Sequence, residues 1–344
     1  MEASRYGFVV HPLTRAHLAI YRAWRLGRGA GVLKTYPPFL TRGQARLDGL
    51  LYGIPLLPRP MLEDREAAVD AIARGVDVLA ERGARAVGLG ALCAVVGSRG
   101  RAVADRCDVP VTTGHEITAW AAVRTAERVC RLLGRAADGP VAVLGAPWVV
   151  AAAAAELLAL HGRPVLLAGR GAGAGALRRI ARRSAGIEVV EQSDALRRAR
   201  LVVSASSGGG VVAEQELAPG TVFVDVARPR DLAGVRVRRD VLSVDGETVS
   251  LPSGAHLGGI TTIYNWVVGQ GAADVFACFA APMLAAAGAA PAPMSEGRFV
   301  DPEVARAWGA AAEHHGFHVD TLYDRGARLD PDGVREWGSQ YPDR

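Results

Sequence analysis

The chain has 344 residues, 50% hydrophobic and 22% charged, with a formal net charge of +5. That is a globular composition with length enough for two cores. Arginines are spread along helical segments with no aromatic-interleaved basic block, which argues against nucleic acid, while a mildly basic surface suits an acidic protein partner.

In chain order, the start "MEASRYGFVV" lacks a charged region followed by an apolar one, so no signal peptide is expected. Residues 1 to about 60, with "TYPPFL" and "GIPLLPRPM", read as irregular. Apolar residues at helical spacing predict a helix from Arg65 to Gly83. "ARAVGLGAL" follows as a buried strand, "VPVTTG" (109 to 114) as strand then turn, and Glu116 to Leu133 as an amphipathic helix. The polar break "GRAADGP" (134 to 140) is the expected domain boundary.

After it comes a regular alternation. Strand Val141–Leu144, helix Val149–His161 and strand Pro164–Ala168 are followed by helix Ala176–Ser184 and strand Ile187–Glu191. "ARLVVSAS" and "GTVFVDVA" add two more strands. This pitch is the pattern of a doubly wound parallel sheet. From about Thr261 the tail reads as mostly helical, including Ala272–Ala287 and Pro302–His315, with "AAAGAAPAPM" (285 to 294) as a loop between helices. The expected fold is therefore α/β. It has an N-terminal α/β substrate domain (1–134), a Rossmann-like nucleotide-binding domain (135–260) and a C-terminal helical segment (261–344). The longest apolar stretch, Ala146 to Leu160, is interrupted by Glu156 and too short to span a bilayer.

Two glycine loops compete as nucleotide sites. In the first, Gly145, Ala146, Pro147, Trp148 and Ala151 form the turn after a strand, and Arg170 after the next strand could clamp an adenosine 2′-phosphate, favouring NADPH. Trp148 stands where a side chain could collide with phosphates. In the second, Gly171, Gly173 and Ala176 fit GxGxxA, with Glu191 as ribose acceptor. The first makes Pro164–Ala168 the second strand of a longer series and is preferred. A scaffold that no longer binds nucleotide is the plain alternative. "SASSGGG" (204 to 210), with Ser204 and Ser206, could lie against a ribose or be only a turn.

Four cysteines (Cys93, Cys107, Cys130 and Cys278) lack CxxC spacing, so no structural zinc site is expected and the thiols suit a reduced, cytoplasmic protein. Cys278, in "ADVFACFAAPML", reads on composition alone as a core residue of a buried helix. "TTGHEITAW" (112 to 120) has Ala119 where HExxH needs histidine, so no metal is implied. His115 is either a proton donor or carbonyl polariser, or an ordinary helix-start residue. His256, in "SGAHLGG", is a candidate by loop location only, and His314 and His315 suit a helix terminus.

Together these pieces resemble the long-chain acyl-[acyl-carrier-protein] reductases of the cyanobacterial aldehyde pathway. The resemblance rests on "HPLT", "LYG", "GLGALCAVVG", "TTGHEITAW", "LGAPWVVA", "LLAGRG", "LVVSAS", "VFVDVARPRD", "FACFAAPML" and "HHGF". It implies that Cys278 attacks an acyl thioester on acyl carrier protein or CoA and that NADPH reduces the acyl-enzyme to an aldehyde; a cysteine beside Phe276 and Phe279 could also sit at the mouth of an apolar tunnel for an acyl chain. Departures are visible: only Gly145 survives of three loop glycines, His115 replaces an asparagine, and Cys93 replaces a hydroxyl residue. Two rivals follow. One is an acyltransferase that passes the Cys278 acyl group to an amine or another nucleophile. The other is a carrier-binding or nucleotide-sensing module without catalysis.

Overall fold

The structure is a computed structural model that describes residues 3–12, 14–16, 18, 19, 22, 31–135, 139–169, 174–206, 208–234, 238–256, 273–293 and 300–342. It is an α/β protein with two main sheets. The first has five strands, β1 (Ser4–Val10), β2 (Val32–Leu40), β3 (Arg46–Gly53), β4 (Ala84–Leu89) and β5 (Val111–Thr112), in the order β2-β3-β1-β4-β5. All neighbours are parallel except β2 and β3. The second has six strands, β6 (Val141–Leu144), β7 (Val165–Ala168), β8 (Ile187–Val189), β9 (Leu201–Ser204), β10 (Thr221–Asp225) and β11 (Val241–Asp245). They are all parallel, in the order β11-β10-β9-β6-β7-β8. Counted from β6, that is the strand order of dinucleotide-binding folds, with its switch point between β6 and β9.

Three expectations needed correction. The first 60 residues are not irregular: they supply β1, β2 and β3. Pro37 and Pro38 lie in edge strand β2, where the pairing with β3 shifts register between Tyr36 and Phe39. An edge strand with a bulge tolerates the missing amide donors. The helix expected over Ala272–Ala287 begins later. Asp274–Phe276 is strand β13, antiparallel to β12 (Thr248–Ser250), and the helix runs Ala277–Ala286. The tail also carries a small hairpin, Tyr323–Asp324 with Ala327–Arg328.

The helices fold as their apolar spacing dictates. Arg65–Glu81 buries Val69, Ile72, Val76 and Leu79 on one face, and its N-cap Asp64 accepts from the Ala67 amide at 3.0 Å. His115–Leu133 ends at left-handed Gly134, with the Arg135 amide bonded to the Cys130 carbonyl at 3.0 Å. Val149–Leu160 is alanine-rich and buried along most of its length. Its Glu156 is paired with Arg183 at 3.1 Å, and burial pushes its carboxyl up to about 7. One hydrophobic core joins Tyr6 and Phe8 of the first sheet to Val141 and Val143 of the second through the helices His115–Leu133, Val149–Leu160, Ala277–Ala286 and Pro302–His314, while Arg65–Glu81 packs in a separate cluster with Val9, Leu50 and Val87. Among the described residues no helix is long and apolar enough to cross a membrane.

Candidate active site

The late start of the helix Ala277–Ala286 changes the setting of Cys278. The β12–β13 hairpin puts the chain into the helix with Phe276 as N-cap, so Cys278 lies in the first turn. A helix N-terminus favours a thiolate. Burial nevertheless pushes the Cys278 thiol up to about 12, the Glu247 carboxylate adds to the rise, and the backbone amides of Cys278 and Phe279 oppose it. The thiol is half-buried. Behind it, Phe279 stacks on Phe8 of β1 with ring centroids 3.7 Å apart, and Tyr36 meets Phe279 edge-on at 6.5 Å.

"TTGHE" reaches the same place from β5. Gly114 is left-handed (φ 68°), and a Cβ there would fall 2.5 Å from Cys278 Cα and 2.6 Å from its Cβ. Only glycine lets this turn lie against the cysteine backbone. His115 follows, its Nδ1 3.0 Å from Thr113 Oγ1. Burial, with a contribution from Arg99, lowers His115 to about 4, so at neutral pH it is an uncharged imidazole. An imidazole with so low a pKa can still donate a hydrogen bond through its N–H, but it is a weak base.

The second sheet contributes the β6 turn. Gly145 (φ 98°) lies so close to the loop after β9 that a Cβ would fall 2.6 Å from the Ala205 carbonyl oxygen and 2.7 Å from the Ser206 nitrogen. Ala146 is buried, Ala151 is buried in the helix Val149–Leu160, and Trp148 is the helix N-cap without a side-chain cap bond. Trp148 is 43% exposed, with the Arg99 guanidinium 5.9 Å from its ring centroid, so loops from both sheets meet here. Pro147 follows a cis peptide bond. Ser204 donates to Asp231 at 2.7 Å, while the Ser206 amide does so at 2.8 Å and its hydroxyl also bonds Asp231. Arg170, Gly171 and Gly173, like the tail positions 257–272 and the boundary positions 136–138, lie outside the described residues. Glu191 is the N-cap of the short helix Gln192–Arg198.

An acidic residue that no sequence signal marked sits beside Cys278. Glu247, 5% exposed, precedes β12, and its carbonyl accepts the Ala277 amide at 2.7 Å. Its carboxylate is ion-paired with Arg228, which lies 3.7 Å from Asp245. Arg228 is held by the loop after β10, which Asp225 organises by accepting from the amides of Ala227, Asp231 and Leu232 at 3.1–3.2 Å. The "DVARPRD" stretch is thus a scaffold for an arginine. His256 is elsewhere, at a surface cavity of about 560 Å³ also lined by Pro38, Phe39 and Arg46.

The fold and site define a dinucleotide-binding-type α/β scaffold with a helix-terminal cysteine where the loops of two sheets meet. No family model matches the chain. Over 294 residues it is 31% identical to a Serratia sp. (strain ATCC 39006) protein named Aminotransferase PigE, a match covering 83% of this chain and 34% of that protein. The chain therefore spans about a third of that relative's length. Among solved structures, L-tryptophan dehydrogenase from Nostoc punctiforme has a TM-score of 0.39 at 13% identity, covering 98% of this chain and 87% of its own. Glutamyl-tRNA reductase from Methanopyrus kandleri has a TM-score of 0.29 at 26% identity, covering 53% and 48% respectively.

Proposed function

We propose that this protein converts an acyl thioester, carried on acyl carrier protein or CoA, to an aldehyde through an acylated Cys278. The observation that carries the reading is Cys278 in the first turn of its helix with Gly114 pressed against it. The Cys278 sulfur bonds to the thioester carbonyl carbon, the carrier's carbon–sulfur bond breaks, and the carrier thiol departs. The amides of the first helical turn favour negative charge on the sulfur in both directions of that exchange. Neutral His115, with Nδ1 accepting from the Thr113 hydroxyl, would hydrogen-bond through its other nitrogen's N–H to the carbonyl oxygen as charge gathers there.

The β6 turn fits a dinucleotide in that the uncapped amides of the helix Val149–Leu160 open at the sheet's switch point. Gly145, Ala146, Pro147, Trp148, Ala151, Ser206 and, beyond the described residues, Arg170 would hold NADPH. A bound nicotinamide would supply the hydride that turns the Cys278 thioester into an aldehyde and frees the sulfur. An aldehyde is also the class of carbonyl compound that an aminotransferase aminates. The name of the Serratia relative therefore suits a product handed on to an amination step.

The exposed ring of Trp148 favours a second reading, an acyltransferase that uses no hydride. One experiment separates them. Wild type and Cys278→Ala are incubated with acyl carrier protein thioester and NADPH, following NADPH absorbance and aldehyde. NADPH consumed in step with aldehyde, and lost in the variant, is the expected result. A Cys278 acyl adduct that intact mass detects without NADPH, and that persists when NADPH is added, supports the transferase; no adduct in the absence of NADPH removes both.

A further inference from the structure

Cys278 faces a chemical difficulty: its thiol is protonated at neutral pH, and the histidine beside it is a poor base. Some group must accept the thiol proton when sulfur attacks. Glu247 is placed for this. Thr248 pairs with Phe276 across the β12–β13 hairpin, and the Ala277 amide donates to the Glu247 carbonyl at 2.7 Å. Residue 247 is therefore opposite 277, one residue from the cysteine.

The Glu247 side chain is buried, and its Oε2 has no hydrogen-bond partner among the described residues, while the carboxylate is ion-paired with Arg228. A buried carboxylate ion-paired with one arginine, its other oxygen unpartnered among the described residues and its backbone bonded to the residue before Cys278, is neither a surface salt bridge nor a satisfied structural network. The charged groups that act on it are Arg228, in direct ion pair, and Arg230 from the loop after β10, Asp225 at the end of β10 and Asp245 at the end of β11, and its own charge acts on Cys278. Burial pushes Glu247 up to about 8; Arg228 and Arg230 oppose the rise, and Asp245 and Asp225 add to it. A carboxyl in that range exchanges protons readily near neutral pH.

We propose that Glu247 is the proton shuttle of Cys278, with Arg228 as its positioning residue. As the Cys278 sulfur bonds to the thioester carbonyl carbon, its proton moves to a Glu247 carboxylate oxygen. As the carrier's carbon–sulfur bond breaks, that proton passes to the departing sulfur. Atoms and charge balance without a further reagent. The inference rests on the thioester chemistry proposed for Cys278.

The sign of one substitution separates this role from simple repulsion. A carboxylate that only repels a thiolate makes the cysteine less reactive, so Glu247→Gln would speed its reactions. A carboxylate that takes the proton makes the cysteine more reactive, so the same change slows them. Wild type, Glu247→Gln and Glu247→Asp are each given decanoyl-CoA, and separately iodoacetamide, from pH 6 to 10. Cys278 modification is followed by intact mass, and circular dichroism confirms folding.

We expect Glu247→Gln to be acylated roughly a hundredfold more slowly at pH 7, with Glu247→Asp partly restored. The wild-type rate limb near pH 8 should be absent from the Gln variant. Equal or faster reaction in Glu247→Gln overturns the proposal. So does a wild-type alkylation rate that climbs without a break through pH 10, a measurement that needs no variant. If wild type is alkylated but never acylated, the thioester reading fails, and the alkylation arm alone decides the proton role.

Discussion

Gly114→Ala tests whether the turn after β5 and the Cys278 helix form one unit. At φ 68° a side chain costs about 1–2 kcal/mol in the left-handed region. The added Cβ would also fall 2.5 Å from Cys278 Cα, a backbone atom that cannot rotate away. Forced overpacking of this kind costs about 1–3 kcal/mol. Together they predict a loss of roughly 2–5 kcal/mol in unfolding free energy, or, where the helix moves to relieve the clash, a smaller loss with a displaced cysteine. The assay pairs a urea denaturation curve with the rate of Cys278 alkylation. Unchanged midpoint and unchanged alkylation together would mean that the methyl group had found room that this geometry denies it.

Phe8→Ala removes the ring stacked on Phe279 and should destabilise the fold by about 3–5 kcal/mol, read from urea midpoints. Asp225→Ala leaves three loop amides without their acceptor and should cost about 2 kcal/mol or more, with slower acylation because Arg228 loses its mooring. His115 has a folded pKa lowered to about 4 against an unfolded value of 6.5, so on acidification the unfolded chain takes the proton first. Its contribution is therefore present above pH 6.5 and falls as pH drops towards 4. Roughly 2–3 kcal/mol less stability at the acid end is expected in wild type, and His115→Asn should flatten that slope.

The second sheet was legible because its strands are short, continuously apolar and separated by helical repeats. Val141–Leu144 and the start of the helix at Val149 fall where the sequence puts them. The first three strands were not, because Pro37 and Pro38 argue locally against a strand and only an edge position with shifted register accommodates them. Around Cys278, local composition favours unbroken helix through "ADVFACF", yet the partner strand Thr248–Ser250 converts its first part to β13. That pairing moves Cys278 from mid-helix to a helix start and alters its chemistry. Glu247 left no trace in the sequence, since "VDGETV" resembles any polar turn between strands. Its meaning comes from Arg228, 19 residues earlier, and from Cys278, 31 residues later, which only the fold brings together.

In the proposed reaction an acyl group is held on Cys278 and released as an aldehyde. Enzyme acylated at Cys278 with a decanoyl thioester, freed of excess donor and mixed with NADPH, tests it most directly. One decanal should be released and one NADPH oxidised per acyl group, with the enzyme returned to its unmodified mass. An acyl-enzyme that persists unchanged in the presence of NADPH would contradict it.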